Sequence, residues 1–163
     1  IPHYRSVSVG LWVESGSQYE EIRENGISHF IEHMVFKGTE KRSARKIAEE
    51  MDAVGGQLNA FTAKECTCFY AKVVDEHLPL AMDVIVDLVT APTFDEAEME
   101  KEKGVVLEEI AMSEDTPEDL VHELLAEAQY DGSLRCPILG PGKLIRRYSR
   151  EDMIQKAQKI LQP

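Results

Sequence analysis

The sequence has 163 residues, of which 43% are hydrophobic and 29% charged. This excludes collagen-like, low-complexity and disulfide-stapled chains and leaves one compact domain as the expectation. Lys and Arg total 18 against 30 Asp and Glu, a formal net charge of −12, which argues against nucleic acid or an anionic membrane as a partner. Three cysteines are too few, and odd in number, for a disulfide framework, so a reducing compartment is expected.

The chain opens on Ile-Pro-His-Tyr-Arg, with neither an initiator Met nor a signal peptide, one step before a strand. It is therefore expected to be a piece of something longer, with its single domain running over residues 1–163. The first predicted element is a strand, residues 6–13, in which Val7, Val9, Leu11 and Val13 alternate with polar or small residues and share one face. Trp12 falls on the opposite face, where a packed helix is expected to cover it. A polar connection and an Asn25-Gly26 turn lead into a helix from Ile27 to Phe36, with Gly38 as its C-terminal cap. Ser43 is placed to cap a second helix, Ala44 to Val54. Two strands, Gln57 to Thr62 and Cys66 to Val74, read as an antiparallel hairpin. Cys66 and Cys68 are expected to be buried structural thiols.

From Asp75 to Val89 the pattern is helical, with Leu78, Met82, Ile85, Val86 and Val89 expected inward. A long acidic helix follows from Asp95 to about Met112. Thr116-Pro117 opens another to about Tyr130, residues 132–142 read as a Gly/Pro-rich loop, and Ser149 starts a last helix to Leu161. The order lacks βαβ alternation, so the expected class is α+β, an antiparallel sheet with helices packed on it. No run approaches the ~20 apolar residues that cross a bilayer.

The chemistry-bearing string is His29-Phe30-Ile31-Glu32-His33. On a helix with His29 at zero, His33 lies at about 40° and Glu32 at about −60°. Ile27, Phe30, Ile31 and Met34 point the other way. Two imidazoles at i and i+4 can grip one metal ion, and the carboxylate beside them can reach water on that ion. A solvated polar face would have the same pattern. The order H-x-x-E-H is the inverse of the commoner zincin string and is the inverzincin signature. A catalytic zinc needs a third ligand, and the acids between Glu98 and Glu114 are the candidates. Glu102 and Glu109 are seven apart and share a face to within ~20°. Val105, Val106 and Ile110 mark the stretch expected to be buried.

His29-Phe-Ile-Glu-His33 with Val-Val-Leu-Glu-Glu109-Ile resembles the pitrilysin or insulinase-type zinc metallopeptidases, most closely the bacterial relatives of the mitochondrial processing peptidase β subunit. Glu109 follows His33 after 75 intervening residues, as in that family. The strings Arg5 to Ser17, Gly26-Ile-Ser-His29, Lys37-Gly-Thr39 and Gly56-Gln-Leu-Asn-Ala-Phe-Thr62 match as well, and the likeness covers roughly residues 1 to 130. The resemblance implies one Zn2+ held by His29, His33 and Glu109, with Glu32 as general base on the zinc-bound water and Glu102 as an acid behind the ligands that helps hold the site. It implies that Asn59, Ala60 and Phe61 form an edge strand along which an extended or presequence-like peptide adds. Each ligand imidazole is expected to donate its other N–H to an acceptor.

The resemblance further implies the N-terminal half-domain of a two-half peptidase, completed by the second half of the same protein or by a homo-oligomer partner, in a bacterial cytoplasm. The isolated piece is then expected to bind zinc yet hydrolyse peptides poorly. A non-catalytic peptide-binding subunit on the same fold is the alternative.

Overall fold

The computed structural model describes residues 3–161. Residues 1, 2, 162 and 163, the ends of the expected 1–163 domain, lie outside that range. The elements run β1 (Ser6–Val13), α1 (Ile27–Val35), α2 (Ala44–Asp52), β2 (Gln57–Thr62), β3 (Thr67–Val74), α3 (Leu78–Thr90), α4 (Glu96–Asp115), α5 (Pro117–Gln129), α6 (Gly142–Ile145) and α7 (Arg150–Leu161). This is the α+β arrangement expected from the sequence. The short helix α6, at the end of the Gly/Pro-rich segment, was not anticipated.

The three strands form one antiparallel sheet in the order β1-β3-β2. The register sets Trp12 and Phe61 on either side of Cys68, and Gly10 and Asn59 on either side of Tyr70. Phe69, Ala71 and Val73 of β3 alternate inward with Val7, Val9 and Leu11 of β1. They join α1 and α3 in a single core built on Phe30, Ile31, Met34, Val84 and Leu88. Apolar residues at period two in the strands and at 3.6 in the helices thus meet across one sheet face.

The other face departs from expectation. Trp12 is 63% exposed, and its ring lies over Gly10, where an added Cβ would sit 2.6 Å from it. No helix of the described residues covers it, because α1 and α3 both pack into the same core. Trp12 and Phe61 flank Cys68 in the register, and Cys68 is buried, whereas Cys66 precedes β3 and is only half-buried.

Two helix faces also differ from the reading above. On α3 the buried apolar stripe is Ala81, Val84, Ile85, Leu88 and Val89, so Ile85 and Val89 face inward as expected, while Met82 and Val86 are exposed. The polar Asp87 is drawn inward instead, accepting from Arg42 Nη1 at 2.8 Å and from Thr39 Oγ1 at 2.7 Å. The buried face of the helix thus includes a paired carboxylate that hydropathy alone would leave outside. On α4 Val106 is buried but Val105 is exposed. Helix caps behave as their chemistry predicts: Ser43 Oγ accepts from the Lys46 N–H, and Asp95 Oδ1 accepts from the Glu98 N–H. Among the described residues no helix is long and apolar enough to cross a membrane.

Candidate metal centre

The site is built on α1, in which seven of nine residues are buried. Its N-terminus is tied down by groups outside the helix. Glu20 Oε2 and Oε1 accept the Gly26 and Ser28 N–H groups, each at 2.8 Å, and Asn25 Nδ2 donates to the same carboxylate at 3.2 Å. These are donors that a helix cannot satisfy internally. Burial pushes the Glu20 carboxyl up, and these hydrogen bonds pull it back down. Gly26 has φ +91° and crosses Gly140, φ +73°, so closely that a Cβ on Gly140 would sit 2.4 Å from the Asn25 carbonyl oxygen. Only glycine fits there. Tyr148 adds a further tie: its hydroxyl donates to that Asn25 carbonyl at 3.0 Å and its ring stacks on Phe30.

Helix α4 approaches the polar face of α1 and brings in both acids of the seven-residue spacing. Glu109 Oε2 lies 3.3 Å from His33 Nε2 and 3.7 Å from His29 Nε2. One donor atom from each of His29, His33 and Glu109 falls within 4.8 Å of the others, the one such group among the described residues. The two imidazoles meet edge-on, with centroids 4.6 Å apart. Glu102, two turns earlier and 5% exposed, reaches the back of His33: its Oε1 is 2.8 Å from Nδ1. A carboxylate only accepts, so Nδ1 is the donor to Glu102, and Nε2 is the ring nitrogen turned towards Glu109. His29 Nδ1, by contrast, is buried with no hydrogen-bond partner. The expected backward donation is therefore present for His33 alone.

Burial, and next the neighbouring His33, lower His29 to about 4, keeping it neutral. Neutral imidazole is the form that binds a metal. Glu32 lies on the same face. Burial raises its carboxyl, and Glu109 adds to this. The hydrogen bond from Thr62 and the proximity of His33 oppose it. Thr62 Oγ1, at the end of β2, donates to Glu32 Oε2 at 2.5 Å.

A cleft of about 420 Å³ opens beside these groups, with His29 and Glu32 on one wall, Ala60, Phe61 and Thr62 on another, and Asp119, His122 and Glu123 of α5 opposite. Glu123 Oε2 is buried without a partner. Among the described residues β2 pairs only with β3, so its outer edge is free. Ala60 and Phe61 border the cleft; Asn59 does not, and its Oδ1 accepts the Ala60 N–H at 2.8 Å.

The reading of the sequence missed Glu20, Thr62 as partner of Glu32, and Lys37, whose Nζ lies 2.6 Å from Glu102 Oε2. Thr62 and Lys37 stood inside strings already singled out, but nothing in one dimension shows what they touch.

Two imidazole nitrogens and one carboxylate oxygen form the donor set of a catalytic zinc that keeps an open position. Calcium or magnesium would call for oxygens alone. The residues present therefore fit zinc.

The sequence profile described as Insulinase (Peptidase family M16) matches residues 2–142. The chain is 53% identical over 155 residues to the uncharacterized zinc protease YmxG of Bacillus subtilis, covering 94% of this chain and 38% of that protein. It is 50% identical over 141 residues to the uncharacterized zinc protease SCO5738 of Streptomyces coelicolor, covering 86% of this chain and 31% of the relative. It thus spans roughly a third of the length of these curated relatives, 38% of one and 31% of the other. Among solved structures, a protease from Helicobacter pylori superposes with a TM-score of 0.88 at 21% identity, over 94% of this chain and 37% of that one. The periplasmic protease PqqL from Escherichia coli gives 0.87 at 24% identity, over 98% of this chain and 18% of that one. At these identities the superpositions speak to the fold alone.

Proposed function

The chain belongs to the insulinase family, peptidase family M16, and from that premise we propose that residues 1–163 are the single zinc-bearing domain of a longer metalloendopeptidase acting on extended, presequence-like peptides. The observation that carries the proposal is the convergence of His29, His33 and Glu109 within 4.8 Å, with the Glu32 carboxylate on the same helical face.

His29, His33 and Glu109 would hold one zinc ion, which when bound supplies a Lewis acid that polarises the scissile carbonyl and acidifies water. Glu32 is the general base: Thr62 fixes its Oε2, and the other oxygen takes the proton of the attacking water and later delivers it to the leaving amine. Its burial raises its basicity above that of an ordinary carboxylate. Glu102 holds His33 in the tautomer that presents Nε2.

Substrate lies along the free edge of β2 at Asn59, Ala60 and Phe61 as an added strand. Asn59 swings away to release the Ala60 N–H. Asp119 and Glu123 make the facing wall negative, which suits the basic side chains of a presequence-like segment. Completion of the cleft falls to a second half-domain of the same protein or to a homo-oligomer partner, a reading supported by the greater length of the relatives. Three free thiols and bacterial relatives support a bacterial cytoplasmic location.

The test is zinc content and peptide hydrolysis of the full-length protein and its Glu32→Gln variant. Both forms are expected to carry one zinc per chain, with kcat about 10²–10⁴-fold lower in the variant. Zinc retained with no hydrolysis by either form would overturn the peptidase reading in favour of a peptide-binding subunit.

A further inference from the structure

Lys37 stands in the Lys37-Gly38-Thr39 string and has no part in the chemistry above. It follows α1 by two residues, its backbone N–H donating to the Met34 carbonyl at 3.1 Å, so it sits one turn beyond His33. Its ammonium reaches Glu102 Oε2 at 2.6 Å, while Glu102 Oε1 takes His33 Nδ1 at 2.8 Å. The Glu102 side chain is 7% exposed and that of Lys37 30%. Both oxygens of an almost buried carboxylate are therefore occupied from the same helix end, one by a ligand imidazole and one by an ammonium.

We propose that Lys37 is a positioning residue of the metal centre: it clamps Glu102 so that one carboxylate holds the tautomer of His33 and, at the same time, the register of α4 against α1. Two features carry this. A carboxylate held by a single contact can rotate about its terminal torsion, which is broad. A second contact on the other oxygen removes that freedom and aims Oε1 at Nδ1. In addition, Glu102 and Glu109 lie two turns apart on one face of α4, so fixing Glu102 against the end of α1 also fixes how far Glu109 reaches towards the two Nε2 atoms. The ammonium acts on both ligand positions without touching the metal. An acceptor behind a ligand imidazole commonly contributes a factor of about 10–100 in metal affinity. Lys37 extends the same support one residue further back. The proposal rests on the zinc reading of His29, His33 and Glu109.

The experiment measures zinc affinity of the full-length protein by chelator competition, with melting temperatures of the metal-free and zinc-loaded forms. The variants are Lys37→Met, Lys37→Arg, Glu102→Gln, the Lys37→Met/Glu102→Gln double variant, and His33→Ala as control. Lys37→Met is expected to weaken zinc binding about 10-fold or more, and Lys37→Arg to restore most of the loss by pairing with the same oxygen. The double variant is expected to bind no more weakly than Glu102→Gln alone, since Lys37 acts through that carboxylate. Zinc should raise the melting temperature less in Lys37→Met than in the unsubstituted protein, whereas a merely structural lysine would shift both forms equally. If Lys37→Met does not fold, Lys37→Gln carries the same measurement.

Unchanged zinc affinity in Lys37→Met, or additive losses in the double variant, would overturn the proposal while leaving the metal centre intact. Equal zinc binding by the unsubstituted protein and His33→Ala would remove the metal centre and this proposal together.

Discussion

Helices α1 and α5 face each other across the cleft and are held in opposite ways. In α1 seven of nine residues are buried, and its start is fixed by Glu20, the Gly26–Gly140 crossing and Tyr148. In α5 none of thirteen residues is buried, and Val121, Leu124 and Leu125 are exposed. The two histidines of the candidate metal centre thus stand on a helix with much packing behind it, whereas the acidic wall of Asp119 and Glu123 stands on one with little. Ligand geometry must hold to fractions of an ångström; a wall that meets varied side chains need not. This predicts that damage to α1 reaches stability and metal together, while changes on α5 leave the fold intact.

The largest effect is expected at Phe30, fully buried beneath the histidines and stacked on Tyr148. Phe30→Ala should cost about 3–5 kcal/mol in denaturant unfolding and should weaken zinc binding as well. A loss of stability with zinc affinity unchanged would separate core from site and contradict the coupling.

Next comes a pH effect. His29 is lowered from 6.5 to about 4 in the folded protein, so the unfolded chain binds the extra proton between those values. Stability of the metal-free protein should therefore fall as pH drops from 6.5 towards 4, by about 3 kcal/mol from this group. It should be independent of this group above 6.5. Urea titrations of the metal-free protein and His29→Gln across that window check it, and the variant should show a shallower decline.

The smallest effect is expected on α5. Leu125→Ala, more than half exposed, should change stability by no more than about 0.5 kcal/mol and leave zinc binding alone. A loss like that of Phe30→Ala would mean that α5 is as firmly built in as α1, and the contrast between the two helices would vanish.

Much of this molecule is legible in one dimension because its periodicities are clean. Strands at residues 6–13 and 57–62, the helix from Ile27 with its apolar back, and the cap at Ser43 follow from side-chain spacing and hydrogen-bonding chemistry. The errors share a cause. Hydropathy alone places Met82, Val86 and Val105 inward, but which stripe of a helix is buried depends on what it packs against; on α3 that stripe is Ala81, Val84, Ile85, Leu88 and Val89, with Asp87 paired to Arg42 beside it. A covering helix is expected over Trp12, yet α1 and α3, the helices that pack into the core with the strands, lie on the other side of the sheet.

The candidate site divides along the same line. That two imidazoles and a carboxylate share one face of α1 is a property of 100° per residue and needs no fold. That Glu109 arrives from α4, that Glu102 and Lys37 close behind His33, that Thr62 reaches Glu32, and that His29 Nδ1 is left without a partner are all consequences of how α1, α4 and β2 pack. Local spacing sets which groups can act together within one element. Groups separated by 30 or 70 positions in the chain meet only when the core is formed, since the energy that brings them together resides in the buried apolar surface and not in the groups themselves.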